Sequence, residues 1–88
     1  MIKKTLEKEI GKVTHFYDRL GVAIVKLTDK LNVGDSLHVF GKHTDFTQVA
    51  DSLQIEHASV EGAKRGEEIG IKVGQVVHEG DRVFRVGA

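Results

Sequence analysis

The distribution of glycine is the feature of this sequence that most restricts its fold. Ten glycines and no proline occur in 88 residues, and the glycines separate short apolar segments of four to eight residues. Such punctuation is typical of short strands joined by turns. No long stretch has the three-and-four spacing of apolar positions that supports an amphipathic helix. The sequence therefore predicts an all-β domain.

Five segments have the patterns of individual strands. Residues 20–28 carry apolar side chains on both faces, which predicts a central strand. Residues 36–40 and 69–73 alternate between apolar and polar side chains, so we expect two half-buried strands. Residues 10–17 and 81–86 supply the first and last strands, with a less regular alternation.

The stretch of residues 45–60 contains no glycine and has two readings. Val49, Leu53 and Ile55 are apolar and would lie on the same face of an extended strand. This pattern predicts one long strand with a bulge or bend near residues 47–51. The competing reading is a helix, because four apolar side chains also fit helical spacing, namely Phe46, Val49, Ala50 and Leu53.

About six short strands in a chain of this length predict a small closed antiparallel barrel, because closure removes the exposed sheet edges. The length allows one domain, which we place at residues 9–86 after an N-terminal extension at residues 1–8. The opening spacing of Ile2, Leu6 and Ile10 fits either one helical turn or the approach to the first strand.

Two Gly-Asp pairs are predicted to make turns between strands. Gly34 and Gly80 are expected to adopt positive φ, and Asp35 and Asp81 are expected to accept hydrogen bonds from turn amides. A structural role is the first interpretation of both aspartates, because no third ligand for a metal converges nearby in the sequence.

The composition and charge narrow the possible functions. Thirteen basic residues balance thirteen acidic ones, which argues against a dedicated nucleic-acid binder with a strongly positive surface. The first thirty residues nevertheless hold seven basic against four acidic side chains, and the next thirty hold one against four. In a small closed fold this asymmetry allows separate basic and acidic patches on different faces, but a solvated mixed-charge surface is the preferred interpretation.

The sequence predicts a protein without enzymatic activity or cofactor. No cysteine is present, and the phosphate loop of a GTPase is missing because Gly41-Lys42 is followed by His43 and Ser36 replaces its first glycine. The spacing of the histidines matches no metal motif, although one turn of a barrel would allow His38 and His43 to meet. The serines lack the context of an activated nucleophile. We therefore expect no metal and no nucleotide.

The location is predicted to be the cytoplasm. The longest apolar run, residues 22–25, is far too short to cross a bilayer. The early lysines are followed by acidic residues and not by an apolar stretch, unlike a secretory or transit signal.

The order of the segments resembles domain 2 of elongation factor Tu and the related barrels of translational GTPases. The resemblance covers nearly the whole chain and is carried by residues 10–13, 21–25, 31–39, 63–71 and 79–83. A similar barrel ends collagenase-like peptidases, where it is an accessory piece, and three stretches look at least as much like that version, namely residues 33–35, 45–48 and 80–84. These degenerate patterns imply a fold more than a function.

The resemblance to the translation-factor barrel implies a non-catalytic module that contacts ribosomal RNA or a translation-related protein. Its predicted phosphate contacts are Lys64, Arg65, Lys12 and Lys26, and Tyr17 is the aromatic side chain expected at the surface. The alternative for Lys64 and Arg65 is that they only offset nearby glutamates.

One departure from the family pattern argues against delivery of aminoacyl-tRNA. Elongation factor Tu uses a glutamate and an arginine three residues apart to hold the aminoacyl end, and Gln54 and His57 occupy those positions here. The resemblance to the peptidase barrel implies the other function, an accessory subunit that binds a separately encoded enzyme such as a collagenase-like peptidase.

Overall fold

A computed structural model describes residues 7–87 of the chain, and every regular element in this range is a β-strand. The bounds of the strands are β1 Glu7–Tyr17, β2 Val22–Leu27, β3 Leu31–Asn32, β4 Ser36–Gly41, β5 Thr44–Val49, β6 Leu53–Ile55, β7 Ala58–Val60, β8 Gly62–Ala63, β9 Glu68–Lys72 and β10 Arg82–Val86. The predicted all-β class is therefore confirmed. Residues 1–6, which make up most of the predicted extension, lie outside the described range.

Eight of the strands form one antiparallel sheet in the order β5-β4-β10-β1-β2-β9-β6-β7. The two remaining strands, β3 and β8, pair with each other in a small second sheet. The predicted strands at residues 20–28, 36–40, 69–73 and 81–86 correspond to β2, β4, β9 and β10. The strand predicted at residues 10–17 is part of β1, which extends back to Glu7.

The predicted closure of the barrel is not confirmed, because no backbone ladder joins the edge strands β5 and β7 within residues 7–87. Ala50, which follows β5, instead exchanges backbone hydrogen bonds with Gly34 and Asp35, so the chain leaves the sheet edge there. A side chain of β5 contacts the end of β9 instead: Gln48 donates to the carbonyl of Lys72 at 2.9 Å and accepts from the amide of Gly74 at 3.0 Å.

The prediction of one long strand over residues 45–60 is wrong, because this stretch forms β5, β6 and β7. The break after β5 falls where the sequence predicted a bend. The second break is a two-residue hairpin turn in which Glu56 and His57 both have positive φ, 50° and 69°. Turns of this kind usually use asparagine or glycine, which explains why the sequence did not reveal it. The alternative helix is excluded, because β5 includes Phe46 and Val49 in extended backbone.

The core lies on one side of the sheet, and most of its members are apolar residues at alternating positions of the strands. Its buried hydrophobic members are Ile10, Val13, Ala23, Val25, Leu27, Leu31, Leu37, Val39, Phe46, Ala50, Leu53, Ala63, Ile69, Ile71, Val77 and Val83. The opposite, outward side carries the residues between them. This alternation places polar side chains from several strands on one exposed face.

Three turns of the same design connect the strands, at residues 32–35, 64–67 and 78–81. In each, glycine at the third position has positive φ, 99° at Gly34, 92° at Gly66 and 93° at Gly80. The carboxylate at the fourth position accepts from the amide of the first residue at 2.7–2.9 Å. The predicted structural role of the two aspartates is confirmed, and Glu67 plays the same part in the middle turn.

Each turn is also attached to the core by a reciprocal pair of backbone hydrogen bonds. The amide of the turn glycine donates to the carbonyl of a buried residue, and the amide of that residue donates back to the carbonyl of the turn's acidic residue. The three buried residues are Ala50, Leu27 and Val13, which serve Gly34, Gly66 and Gly80 in that order. Tight turns thus fix the ends of the strands that carry the exposed face.

Because residues 7–87 contain no helix, this part of the chain offers no helical segment able to cross a bilayer.

Candidate binding surface

The outward face of the sheet carries a line of basic residues on three neighbouring strands, which we call the cation row. It consists of Arg82, Lys12 and Lys26, and the strand register sets Lys12 directly opposite both of the others. All three side chains are exposed. Because neighbouring strands lie about 4.8 Å apart, the row spans roughly 10 Å across the sheet.

The same register continues the line beyond both ends of the cation row. On one side Phe40 lies opposite Arg82, and Asp45 lies opposite Phe40. On the other side Glu68 lies opposite Lys26. Read across the sheet, the line therefore has an acid, an aromatic ring, three cations and an acid.

No salt bridge within the described part of the chain involves a member of the cation row. Like charges directly opposite one another in a sheet are unfavourable. Glu68, the nearest acid, accepts a hydrogen bond from Thr14 at 3.3 Å. Lys12 and Arg82 therefore have no acid directly opposite them in the strand register, whereas Lys26 has Glu68 on one side.

The structure brings some of the predicted binding residues together and separates others. Lys12 and Lys26 are cross-strand neighbours. Lys64 and Arg65 lie exposed in the turn whose glycine bonds to Leu27, the residue after Lys26, so they flank the row. Tyr17 is 48% exposed, as predicted, but it lies at the far end of β1.

Arg82 and Phe40 are the members of this surface that sequence reasoning missed. Arg82 stands between buried Asp81 and Val83, which is the local signal of an outward side chain, but its neighbours follow only from the ladder. Most of the aromatic rings were expected in the core, and Phe40 is instead 48% exposed. The parity of its strand points Leu37 and Val39 inward and Phe40 outward.

His38 lies beside this line and holds two acidic side chains from different strands. Its Nδ1 donates to the carboxylate of Glu7 at 3.0 Å and its Nε2 donates to Asp45 at 2.6 Å. The hydrogen bonds to Glu7 and then to Asp45 raise the pKa of His38 above its usual 6.5. An imidazole can donate from both nitrogens only when it is protonated. This geometry therefore favours the charged ring.

A buried polar cluster links the third turn to the start of β5. Thr44 is 5% exposed, and its hydroxyl donates to the carboxylate of Asp81, itself 4% exposed, at 2.5 Å. The Nδ1 of His78 lies 3.1 Å from the same hydroxyl oxygen, to which it donates. A hydroxyl, an imidazole and a carboxylate also form the catalytic triad of hydrolases, but they are arranged differently here. The hydroxyl proton faces the carboxylate and not the imidazole, and burial keeps the oxygen from a substrate.

The remaining histidines do not form a metal site. His43 lies next to His78, with ring centroids 6.0 Å apart, whereas His38 is engaged by Glu7 and Asp45, so the possible meeting of His38 and His43 does not occur. No set of three or more His, Cys, Asp or Glu side chains within residues 7–87 is arranged to hold a metal ion.

A second charged network lies near the ends of β1 and β10. Asp29 accepts from Lys8 at 3.0 Å and from Arg85 at 3.3 Å, and Arg85 also donates to the carbonyl of Lys30 at 2.6 Å. The bond to Lys8, followed by the backbone amide of Lys30, lowers the pKa of Asp29 from 3.8 to about 2. These cations are engaged within the domain, in contrast to the cation row.

The chain is similar in sequence to part of several larger proteins. It is 44% identical over 77 residues to a Methanocaldococcus jannaschii protein named as an uncharacterized protease. It is 31% identical over 78 residues to a collagenase of Porphyromonas gingivalis. Each match covers 86% of this chain, and the chain spans only about a fifth of the length of these relatives, 19% and 22%. No family model matches the chain.

Two crystal structures share the fold. Both are of the C-terminal domain of a Geobacillus thermoleovorans protein named as a U32 peptidase, and they superpose with TM-scores of 0.82 and 0.83 at 22% identity. The superpositions cover 86% and 91% of this chain and 96% and 92% of the crystallised domains. The similarity to the peptidase-associated barrel is therefore supported. The similarity to domain 2 of elongation factor Tu gains no support from these comparisons.

Proposed function

We propose that this chain is a non-catalytic accessory module of the collagenase-like peptidases, which binds a peptidase body and contributes to its specificity or stability. The observation that carries this proposal is the 44% identity over 77 residues to a protein named as a protease, of which the matched part is only 19%. The fold of the same stretch agrees with crystallised C-terminal domains. On this proposal, the chemistry belongs to the rest of such a protein, outside the region that this chain matches.

The polar clusters of the described residues support a non-catalytic role. Thr44 donates its hydroxyl proton to Asp81 and is buried, so it is unsuited to attack a peptide bond. The three serines, Ser36, Ser52 and Ser59, are exposed, and no histidine is hydrogen-bonded to any of them. A binding module needs no such activation, and its function depends on surface shape and charge.

Contact with RNA or the ribosome is the weaker proposal. Its support is the basic character of Lys12, Lys26, Lys64 and Arg65, which lie near one another on the surface. The relatives described above are named as proteases and collagenases, and they favour the accessory role. The cytoplasmic location stays a prediction.

The direct test is to mix the purified chain with the catalytic body of a collagenase-like peptidase encoded in the same genome. Sedimentation velocity at moderate salt should reveal a complex of defined stoichiometry. The thermal half-life of the peptidase, or its kcat/KM on gelatin, should change when the chain is present. A β-domain of similar size and neutral charge serves as the control. Absence of a complex at micromolar concentrations, together with unchanged peptidase kinetics, would contradict the proposal.

A further inference from the structure

We propose that the cation row and the adjacent Phe40 form the face by which this module docks on an acidic patch of its peptidase body. The inference rests on the function proposed above and names the surface that would perform it. The occupant is a folded protein surface with two or three carboxylates set within about 10 Å, the width that three neighbouring strands allow.

The first argument is the repulsion between the three cations of the row when the module is unbound. Lys12 faces a cation on each side, Arg82 and Lys26, and none of the three has an ion-pair partner among residues 7–87. Two cations elsewhere in the domain, Arg85 and Lys8, are paired with Asp29. A row of opposed cations is unfavourable in isolation and becomes favourable when carboxylates lie over it.

The second argument is the presence of an anchor beside the charges. Phe40 is 48% exposed and occupies the position next to Arg82 in the line across the sheet. Binding faces between proteins are enriched in aromatic residues and arginine, which supply most of the binding energy when they are buried at the centre. The pairing of Phe40 with Arg82 matches this composition.

The third argument distinguishes a protein partner from a nucleic acid. The row is closed at both ends by acids, Asp45 beyond Phe40 and Glu68 beyond Lys26. A phosphate backbone that continued along the line would meet the negative charge of Glu68 on one side, whereas Asp45 on the other side is already paired with His38. A folded partner can place its own charges to complement an alternating pattern, and such complementarity sets the register of binding. The balanced charge of the whole chain agrees with this choice.

The first experiment measures the charge repulsion within the cation row in the absence of any partner. Replacing Lys12 by glutamate converts two repulsive cross-strand pairs into attractive ones, so the Tm should rise by roughly 2 to 8 °C at low salt. Most of this gain should disappear in about 1 M NaCl, where charges are screened over roughly 3 Å. Lys72→Glu, an exposed cation on β9 outside the row, is the matched control and should leave the Tm nearly unchanged. A Tm of Lys12→Glu that does not exceed that of Lys72→Glu would overturn the proposal.

The second experiment measures the affinity for the catalytic body used above. The double change Lys12→Glu and Lys26→Glu should weaken binding by at least tenfold, and Phe40→Ala should weaken it by a similar factor with less dependence on salt. Lys72→Glu should bind like the original chain. The original chain could bind while the lysine double variant and Phe40→Ala bind as tightly as it does. The docking face would then lie elsewhere, and only the present inference would fail. If the original chain does not bind at all, the proposed function fails with it.

A third measurement uses a fluorescein-labelled single-stranded RNA of twelve nucleotides as the probe. The proposal expects no saturable binding of this probe to the original chain at physiological salt. Saturable binding that is lost in the row double variant would overturn the proposal and assign the cation row to nucleic acid.

Discussion

Removing the hydroxyl of Thr44 should destabilise the domain, because this group joins the start of β5 to the third Gly-acid turn. Its oxygen donates to buried Asp81 at 2.5 Å and accepts from His78 at 3.1 Å. Thr44→Val keeps a branched side chain of similar shape and removes both hydrogen bonds. The carboxylate of Asp81 would retain the amide of His78, at 2.8 Å, as a donor.

The size of the effect follows from the burial and charge of the acceptor. Thr44 is 5% and Asp81 4% exposed, so water cannot readily replace the lost donor. A hydrogen bond to a charged group contributes about 1.5–3 kcal/mol, and each kcal/mol shifts the Tm of a domain of this size by roughly 4–8 °C. We therefore expect a decrease in Tm of about 6–24 °C for Thr44→Val.

Thermal unfolding followed by circular dichroism at neutral pH measures this decrease, and urea unfolding gives the free energy directly. The matched control is Thr47→Val on the same strand, where the side chain is exposed and the change should stay within about 0.5 kcal/mol. If Thr44→Val and Thr47→Val lower stability equally, the bond from Thr44 to Asp81 does not hold the turn as argued.

The remaining predictions concern the turns, the pH response and nucleotide binding. Gly34→Ala should cost about 1–2 kcal/mol from its φ of 99° alone, because no atom lies within 4 Å of the added carbon, and equal stability in urea would contradict the turn assignment. Gly41→Ala should cost more than Gly34→Ala, because its added carbon would overlap the carboxylate of Asp81, and a smaller loss of Tm would refute this. The pKa of His38 is raised in the folded chain, so the stability it provides is complete below its usual 6.5 and is lost as the pH rises through the raised value. The Tm difference between the original chain and His38→Gln should narrow as the pH rises over that range. A constant difference would contradict the stabilisation of protonated His38 by Glu7 and Asp45. Calorimetry with GTP should show no saturable binding.

Much of the local structure could be predicted because it is encoded within a few adjacent residues. The positive φ of Gly34 and Gly80 and the capping by Asp35 and Asp81 are properties of four-residue turns, and both are confirmed. Alternation within β4 likewise identified Leu37 and Val39 as core residues. The turn at Glu56 escaped detection because its residues are unusual for a hairpin with positive φ.

The candidate surface could be predicted only in part. Lys12 and Lys26 were named from the sequence, but their alignment with Arg82 depends on the register of three strands, of which β10 lies far from β1 and β2 in the chain. The exposure of Phe40 follows from strand parity, yet its place at the end of the cation row does not. Charge counted along the chain allows a basic patch but does not locate it.

The sequence by itself determined the all-β class, the main strands and the two Gly-Asp turns, because hydrophobic alternation and glycine conformation act over two to four residues. Only the tertiary structure decided which strands are neighbours, how the sheet ends at β5 and β7, and which side chains face one another. Thr44 and Asp81 are 37 residues apart, and their contact arises from the pairing of β4 with both β5 and β10. Such contacts depend on which strands pair and in which register. The register is set by burial of the apolar faces in the core, and not by the polar residues that it brings into contact.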